Sequence, residues 1–415
     1  MPSRRTIAAI ALAAAAAAAG AALAQGIDLQ DYKFIERGRY LAIAGDCAGC
    51  HTLPGSGHDF AGGRSIETPF GNLLAPNITP DAATGIGAWS NDEFVNALTK
   101  GTGRNGTHLY PAMPYVYYTK ISRDDALAIR AYLATVPAVH NPVKSNQLPF
   151  PFNIRTGLIG WDELYFTPGP FKPVAGKSAE WNRGAYLAEG LAHCGLCHTP
   201  KTDLGGDKTK QKLTGYALQG WYAPNITNDS QLGLGSWSVD DIAEYLKTGH
   251  NRTSSAGGLM GEMITDSASQ MTDADLHAIA VYLKDLPGEE HSAPAKPDAA
   301  AMNMGGKIYT DECSGCHGPK GQGTPGLFPT LAGAPIVRQP DATSLMHVVL
   351  RGVRSIGTNK APTAPAMPSF GWILNDDQVA AVLTYVRNSW GNAAAPVSAS
   401  TVSKTRHELA QRRGD

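Results

Sequence analysis

Six cysteines occur in the 415-residue chain, and all six fall in three copies of one pattern, Cys-x-x-Cys-His. The copies are Cys47-Ala48-Gly49-Cys50-His51, Cys194-Gly195-Leu196-Cys197-His198 and Cys313-Ser314-Gly315-Cys316-His317. Two thiols three positions apart lie on one turn of backbone, where they can add to the two vinyl groups of one porphyrin. The adjacent histidine then sits under the ring and offers neutral imidazole to the iron. A redox Cys-x-x-Cys needs no following histidine. A zinc site drawing on two pairs at a time would leave one pair over, and a disulfide framework suits a much shorter chain. The pattern therefore predicts three covalently bound haem c groups, with Cys47, Cys50, Cys194, Cys197, Cys313 and Cys316 as attachment points. His51, His198 and His317 are the expected axial ligands.

Methionine sulfur is the expected sixth ligand, a soft neutral donor that favours ferrous iron and raises the potential. Met113 lies in Pro111-Ala112-Met113-Pro114 and Met367 in Pro365-Ala366-Met367-Pro368, a shared frame that suggests a rigid extended loop. The middle copy offers Met260, Met263 and Met271. Cys47 to Met113 is 66 positions, and Cys194 to Met260 is also 66, against 69 to Met263, so Met260 is the expected ligand. His58, His108, His140, His193 and His250 are read as surface or propionate-side histidines. No catalytic constellation beyond the haem sites is visible, so no catalytic residue is expected.

The elements that hold these residues recur. Arg37-Gly38-Arg39-Tyr40-Leu41 precedes the first motif, and Arg183-Gly184-Ala185-Tyr186-Leu187 precedes the second. Ala75-Pro76-Asn77-Ile78-Thr79 and Gly85-Ile86-Gly87-Ala88-Trp89-Ser90 follow the first. Ala223-Pro224-Asn225-Ile226-Thr227 and Gly233-Leu234-Gly235-Ser236-Trp237-Ser238 follow the second. Units one and two are duplicates, expected to pack as a pair with pseudo-twofold character; unit three lacks these two blocks. Each unit closes with a helix signalled by a capping residue (Ser122, Thr272, Asn375), acids in the first turn and apolar residues at helical spacing. Gly38, Gly184 and Gly306 are expected to let an earlier helix cross close to the late tyrosines Tyr132, Tyr282 and Tyr385, which are read as core.

Arg4 and Arg5 open an alanine-rich run from Ile7 to Leu23, ending in Ala22-Leu23-Ala24. Residues 1–24 are therefore expected to be a cleavable signal peptide rather than an anchor, with the arginine pair read as its charged start rather than as a twin-arginine signal. The formal charge of −1 becomes −3 without Arg4 and Arg5, from 33 basic and 36 acidic residues, which gives no basic excess for nucleic acid. The expected map is domain 1 over 27–141, a proline- and aromatic-rich linker over 142–173, domain 2 over 174–286, a second linker over 287–301, domain 3 over 302–392 and a disordered tail over 393–415. The first linker is expected to strap across units one and two without regular helix. The second is read as flexible.

The order Gly-x-Tyr-Leu, Cys-x-x-Cys-His-Thr, Ala-Pro-Asn-Ile-Thr, Gly-x-Gly-x-Trp-Ser and Pro-Ala-Met-Pro resembles the three-haem cytochrome c subunits of bacterial membrane-associated dehydrogenases. That family includes the cytochrome subunits of alcohol, gluconate 2- and sugar dehydrogenases, and similar subunits serve molybdenum-containing aldehyde and nicotinate dehydrogenases. The likeness covers nearly all of residues 27–392. It implies a mainly α fold of three cytochrome c-type haem domains in tandem with long loops. It also implies an electron-transfer subunit with a catalytic dehydrogenase partner of flavin, quinoprotein or molybdenum type. Ubiquinone or a terminal oxidase is the implied acceptor, in the periplasm and peripherally on the membrane. One departure is that Thr401 to Arg413 has too few apolar residues for the membrane anchor that some members carry. A free electron shuttle and a haem peroxidase are the alternatives, and a methionine for each haem argues against the peroxidase. The divergent third unit, with His317, is expected to be where electrons arrive.

Overall fold

The computed structural model describes residues 28–289, 291–292 and 294–412. The expected signal peptide lies outside the described residues. Each unit is built from an opening helix, a short helical turn carrying the haem motif, a middle helix and a closing helix. In unit one these are Tyr32–Ala44, Cys47–His51, Asn91–Lys100 and Arg123–Leu133. In unit two they are Ala179–Tyr186, Gly195–His198, Val239–Thr248 and Asp273–Lys284. In unit three they are Ala299–Ile308, Ser314–His317, Thr343–Arg351 and Asp376–Arg387. Among the described residues sheet is confined to two-stranded antiparallel pairs: Ser65–Thr68 with Gly71–Leu74, Tyr216–Leu218 with Trp221–Ala223, and Val353–Arg354 with Ala366–Met367.

The start signals act as read. Ser122, Thr272 and Asn375 accept from the backbone N–H groups of Asp125, Asp275 and Gln378, removing orphan donors at the helix start. Opening and closing helices cross at backbone contact. A Cβ added at Gly38 would overlap the Ala128 carbonyl, and one at Gly184 the Ala278 carbonyl. In unit three that position is Gly305, which faces the Ala381 carbonyl, whereas Gly306 meets the Tyr385 ring. The crossing is thus made against backbone, with the tyrosine beside it.

Units one and two pack through a reciprocal contact. Tyr40 of unit one donates to Asp275 of unit two at 2.6 Å, and Tyr186 of unit two donates to Asp125 of unit one. Each carboxylate also holds the arginine of its own unit's opening helix, Arg183 to Asp275 at 2.7 Å and Arg37 to Asp125 at 2.5 Å. The two halves share one apolar core that includes Leu41, Ile121, Leu127, Leu187, Leu191, Leu276 and Ile279.

Unit three docks on unit two. Ser344 bonds both N–H (2.7 Å) and C=O (3.1 Å) of Tyr222, and His347 stacks on Trp221 at 3.9 Å. Gln339 donates to the Leu232 carbonyl at 2.5 Å.

Two segments differ from expectation. The linker over 142–173 does strap units one and two: Trp161 donates to the Leu204 carbonyl, and Asp162 accepts from Tyr115 at 2.6 Å. It contains a helix, Gly157–Tyr165, because its prolines cluster at 142–151 and 168–173 and leave the middle free. The tail is a helix over Ala399–Gln411, not disordered. Val402, Thr405 and Leu409 are buried against unit three, and Arg412 pairs with Glu67 of unit one at 2.6 Å. Ser398 caps it by accepting from Thr401, and three apolar-facing positions at helical spacing suffice once a seat exists.

Candidate haem sites

Each motif histidine is held by a hydrogen bond to a proline carbonyl. His51 Nδ1 lies 2.7 Å from Pro76 O, His198 Nδ1 2.7 Å from Pro224 O, and His317 Nδ1 3.0 Å from Pro329 O. A carbonyl can only accept, so Nδ1 carries the proton and Nε2 keeps its lone pair for a metal. Burial lowers the pKa of all three imidazoles, against the raising effect of the carbonyl bond. The fold thus presents each imidazole neutral and in the tautomer that leaves Nε2 free for a metal.

The repeated blocks build this acceptor. In Ala75-Pro76-Asn77-Ile78-Thr79, Asn77 Oδ1 accepts from both N–H and Oγ1 of Thr79, and Asn225 does the same with Thr227. The Thr79 carbonyl takes the Ile86 N–H, and the Thr227 carbonyl takes the Leu234 N–H. Gly85 sits against the Thr79 carbonyl, where a side chain could not fit. Ser90 and Ser238 then cap the middle helices with capping boxes. The prolines were missed as functional residues. The signal was available, since a repeated Pro stands 25 and 26 positions after its histidine.

None of the six cysteines is in a disulfide. Burial pushes the thiols of Cys47 and Cys194 up to about 12, and those of Cys50, Cys197 and Cys313 up to about 11. Cys50, Cys194, Cys197, Cys313 and Cys316 open onto a cavity of about 1210 Å³, with His198 and His317 also in its wall. That volume exceeds a single drug-sized pocket. Leu, Val, Ile, Phe and Trp side chains make up much of its wall, which suits the flat apolar face of a porphyrin. In units two and three an apolar space with two thiols and one neutral imidazole fits covalently attached haem, and Cys50 of unit one reaches the same space.

The methionines are placed differently in each unit. Met113 follows a turn, its N–H donating to Tyr110 O at 2.9 Å, and Met367 lies in a two-residue strand paired with Val353. The common Pro-Ala-Met-Pro frame thus has two local conformations. Met260 and Met263 both lie on the helix Gly258–Asp266 and both line the cavity. Met271 is buried in the core shared by units one and two. Counted back from the closing-helix cap, Met113 is nine positions before Ser122 and Met263 nine before Thr272, so the two ends of the repeat favour different residues.

The spare histidines have separate roles. His58 is exposed and His140 faces Asp81 at 3.6 Å on the surface. His108 is half-buried, its Nδ1 enclosed without a partner among the described residues. His193 is enclosed beside Tyr118, and burial lowers its pKa to about 4. His250 is buried rather than at the surface, tying unit two to unit three through Ile356 O at 2.8 Å.

The cytochrome c family pattern matches residues 35–137, 182–287 and 303–390. The gluconate 2-dehydrogenase cytochrome c subunit of Pantoea cypripedii is 40% identical, over 90% of each chain. The cytochrome c subunit of the quinone alcohol dehydrogenase of Gluconacetobacter polyoxogenes is 38% identical, over 93% of this chain and 86% of its own. The fructose dehydrogenase cytochrome subunit of Gluconobacter japonicus is 38% identical, over 90% and 82%. With three matches in tandem on a mainly helical fold and a histidine-bearing haem site in each, the chain belongs to the cytochrome c family and carries three covalently bound haem c groups.

Proposed function

We propose that this protein is the electron-transfer subunit of a dehydrogenase complex, taking electrons from a catalytic subunit and delivering them toward ubiquinone or the respiratory chain. The observation that carries this is likeness along nearly the whole chain to subunits that bear such names. Cys47 and Cys50, Cys194 and Cys197, and Cys313 and Cys316 hold the three haems. His51 with Met113, His198 with Met260 and His317 with Met367 are the axial pairs. Bound haem iron cycles between ferric and ferrous and so carries one electron at a time. The chain's own residues enclose it, fix the imidazole tautomer and set the potential.

The catalytic partner is of flavin, quinoprotein or molybdenum type, and alcohols, aldehydes, gluconate or sugars are its substrates. The chain is exported through cleavage after Ala24 and acts in the periplasm, peripherally on the inner membrane. Among the described residues no helix is long and apolar enough to cross a membrane. Attachment through the complex is part of the proposal.

Electrons arrive at the third unit. Supporting this, Trp372 is 81% exposed five residues after Met367, with Ile373 beside it, a surface suited to docking. Stopped-flow reduction by the catalytic subunit tests the reading: Met367→Ala should slow the first phase. A first phase slowed instead by Met113→Ala or Met260→Ala reverses the order. The purified subunit alone should oxidise none of the substrates with a dye acceptor, and turnover would overturn the assignment.

A further inference from the structure

In the duplicated pair, a side-chain cation reaches into each haem-attachment turn. Arg64 Nη1 donates to the carbonyl of Gly49, between Cys47 and Cys50, at 2.7 Å. Lys201 Nζ donates to the carbonyl of Gly195, between Cys194 and Cys197, at 3.1 Å. Both line the haem cavity, and their side chains are only 23% and 11% exposed. The two residues come from different places in their units, Arg64 before a hairpin and Lys201 just after the motif, so the duplication does not account for the match. In the third motif Gly315 is exposed, and a Cβ there would meet nothing.

Each cation is held by a carboxylate. Arg64 pairs with Glu262 of unit two at 2.5 Å, and Asp46 and Asp266 belong to the same cluster. Lys201 pairs with Asp207 at 2.5 Å, and Tyr117 of unit one donates to that carboxylate at 2.5 Å. Low exposure weakens solvent screening, so these charges act on the haem edge more strongly than surface charges would.

We propose that Arg64 and Lys201 are potential-setting residues of the first and second haems, each placing positive charge at its attachment turn and making its own haem easier to reduce. Reduction removes one positive charge from the iron, so a fixed cation nearby favours the ferrous form. The proposal rests on the relay reading above but is tested on the isolated holoprotein, so its failure is separate from failure of transfer from the catalytic subunit.

The test is a redox titration that resolves the three haems by their paramagnetically shifted methyl resonances, assigned with the axial methionine variants. Arg64→Gln should lower the reduced-to-oxidised ratio of the first haem about fivefold at its wild-type midpoint, less than a lone charge would give at an effective dielectric of about 20 because Glu262 offsets part of it. Arg64→Lys should keep most of the effect. Glu262→Gln should move the first haem the opposite way. Lys201→Gln should act on the second haem alone. Because Lys201 is nearly enclosed, Asp207→Asn is its counterpart and should make the second haem easier to reduce. Unchanged potentials, a common shift of all three haems, or movement in the same direction for Arg64→Gln and Glu262→Gln would overturn the proposal.

Discussion

The hydroxyl of Tyr40 donates to the Asp275 carboxylate across the junction of units one and two, and Tyr186 repeats the bond to Asp125 in the opposite direction. A hydrogen bond to a charged acceptor contributes about 1.5–3 kcal/mol, less where water can replace it. Tyr40→Phe should therefore destabilise the holoprotein by about 1.5 kcal/mol in denaturant unfolding, with Tyr186→Phe similar. If the double variant costs no more than either single one, the two bonds do not act as independent halves of one interface.

The same junction responds to acid. Asp275 loses solvent by burial, but its bonds from Arg183 and Tyr40 outweigh this and hold its pKa below the ordinary 3.8. A carboxylate depressed in the folded state contributes stability above its unfolded pKa and loses it as pH falls through the folded one. The wild type should thus lose unfolding stability below about pH 4, and Asp275→Asn should flatten that part of the curve. An unchanged slope in the variant would place the acid sensitivity elsewhere.

Helix crossing separates two neighbouring glycines. Gly305→Ala should destabilise unit three by about 3 kcal/mol or more, because the new methyl meets backbone that cannot move aside. Gly306→Ala meets only the edge of Tyr385 and should cost much less. Thermal melts of the two variants decide between them.

For the second haem, Met260→Ala should remove the thioether spectrum of that haem alone and lower its potential, while Met263→Ala should leave it near normal. The reversed pattern would mean that the count back from Thr272, rather than the count forward from Cys194, locates the ligand.

Removing residues 399–415 should expose the seats of Val402 and Leu409, costing about 4 kcal/mol at roughly 2 kcal/mol for each buried side chain. Unit three should become protease-sensitive while units one and two keep their haem spectra.

Local signals were legible because chemistry or backbone geometry demands them within a few residues. The Cys-x-x-Cys-His motifs and the caps at Ser122, Thr272 and Asn375 are of this kind. What escaped depends on distant partners. Pro76 matters because His51 folds back onto it, and nothing local marks its carbonyl. The terminal helix forms because unit three offers a seat to Val402 and Leu409, whereas its polar composition alone reads as solvated chain. Gly305 rather than Gly306 makes the crossing because it is the one that meets the Ala381 carbonyl of a helix distant in sequence, a one-residue matter that spacing does not resolve. The methionine of unit two is ambiguous because its helix differs in length from the turn around Met113.

The cavity of about 1210 Å³ has a consequence for biogenesis. Cys194, Cys197, Cys313 and Cys316 all open onto it, so the second and third haems are enclosed by one shared wall. Each porphyrin then forms part of the other's surroundings. A chain that acquired one of the two and missed its neighbour should leave apolar wall open to water. Such a chain should be cut by protease faster than the three-haem protein.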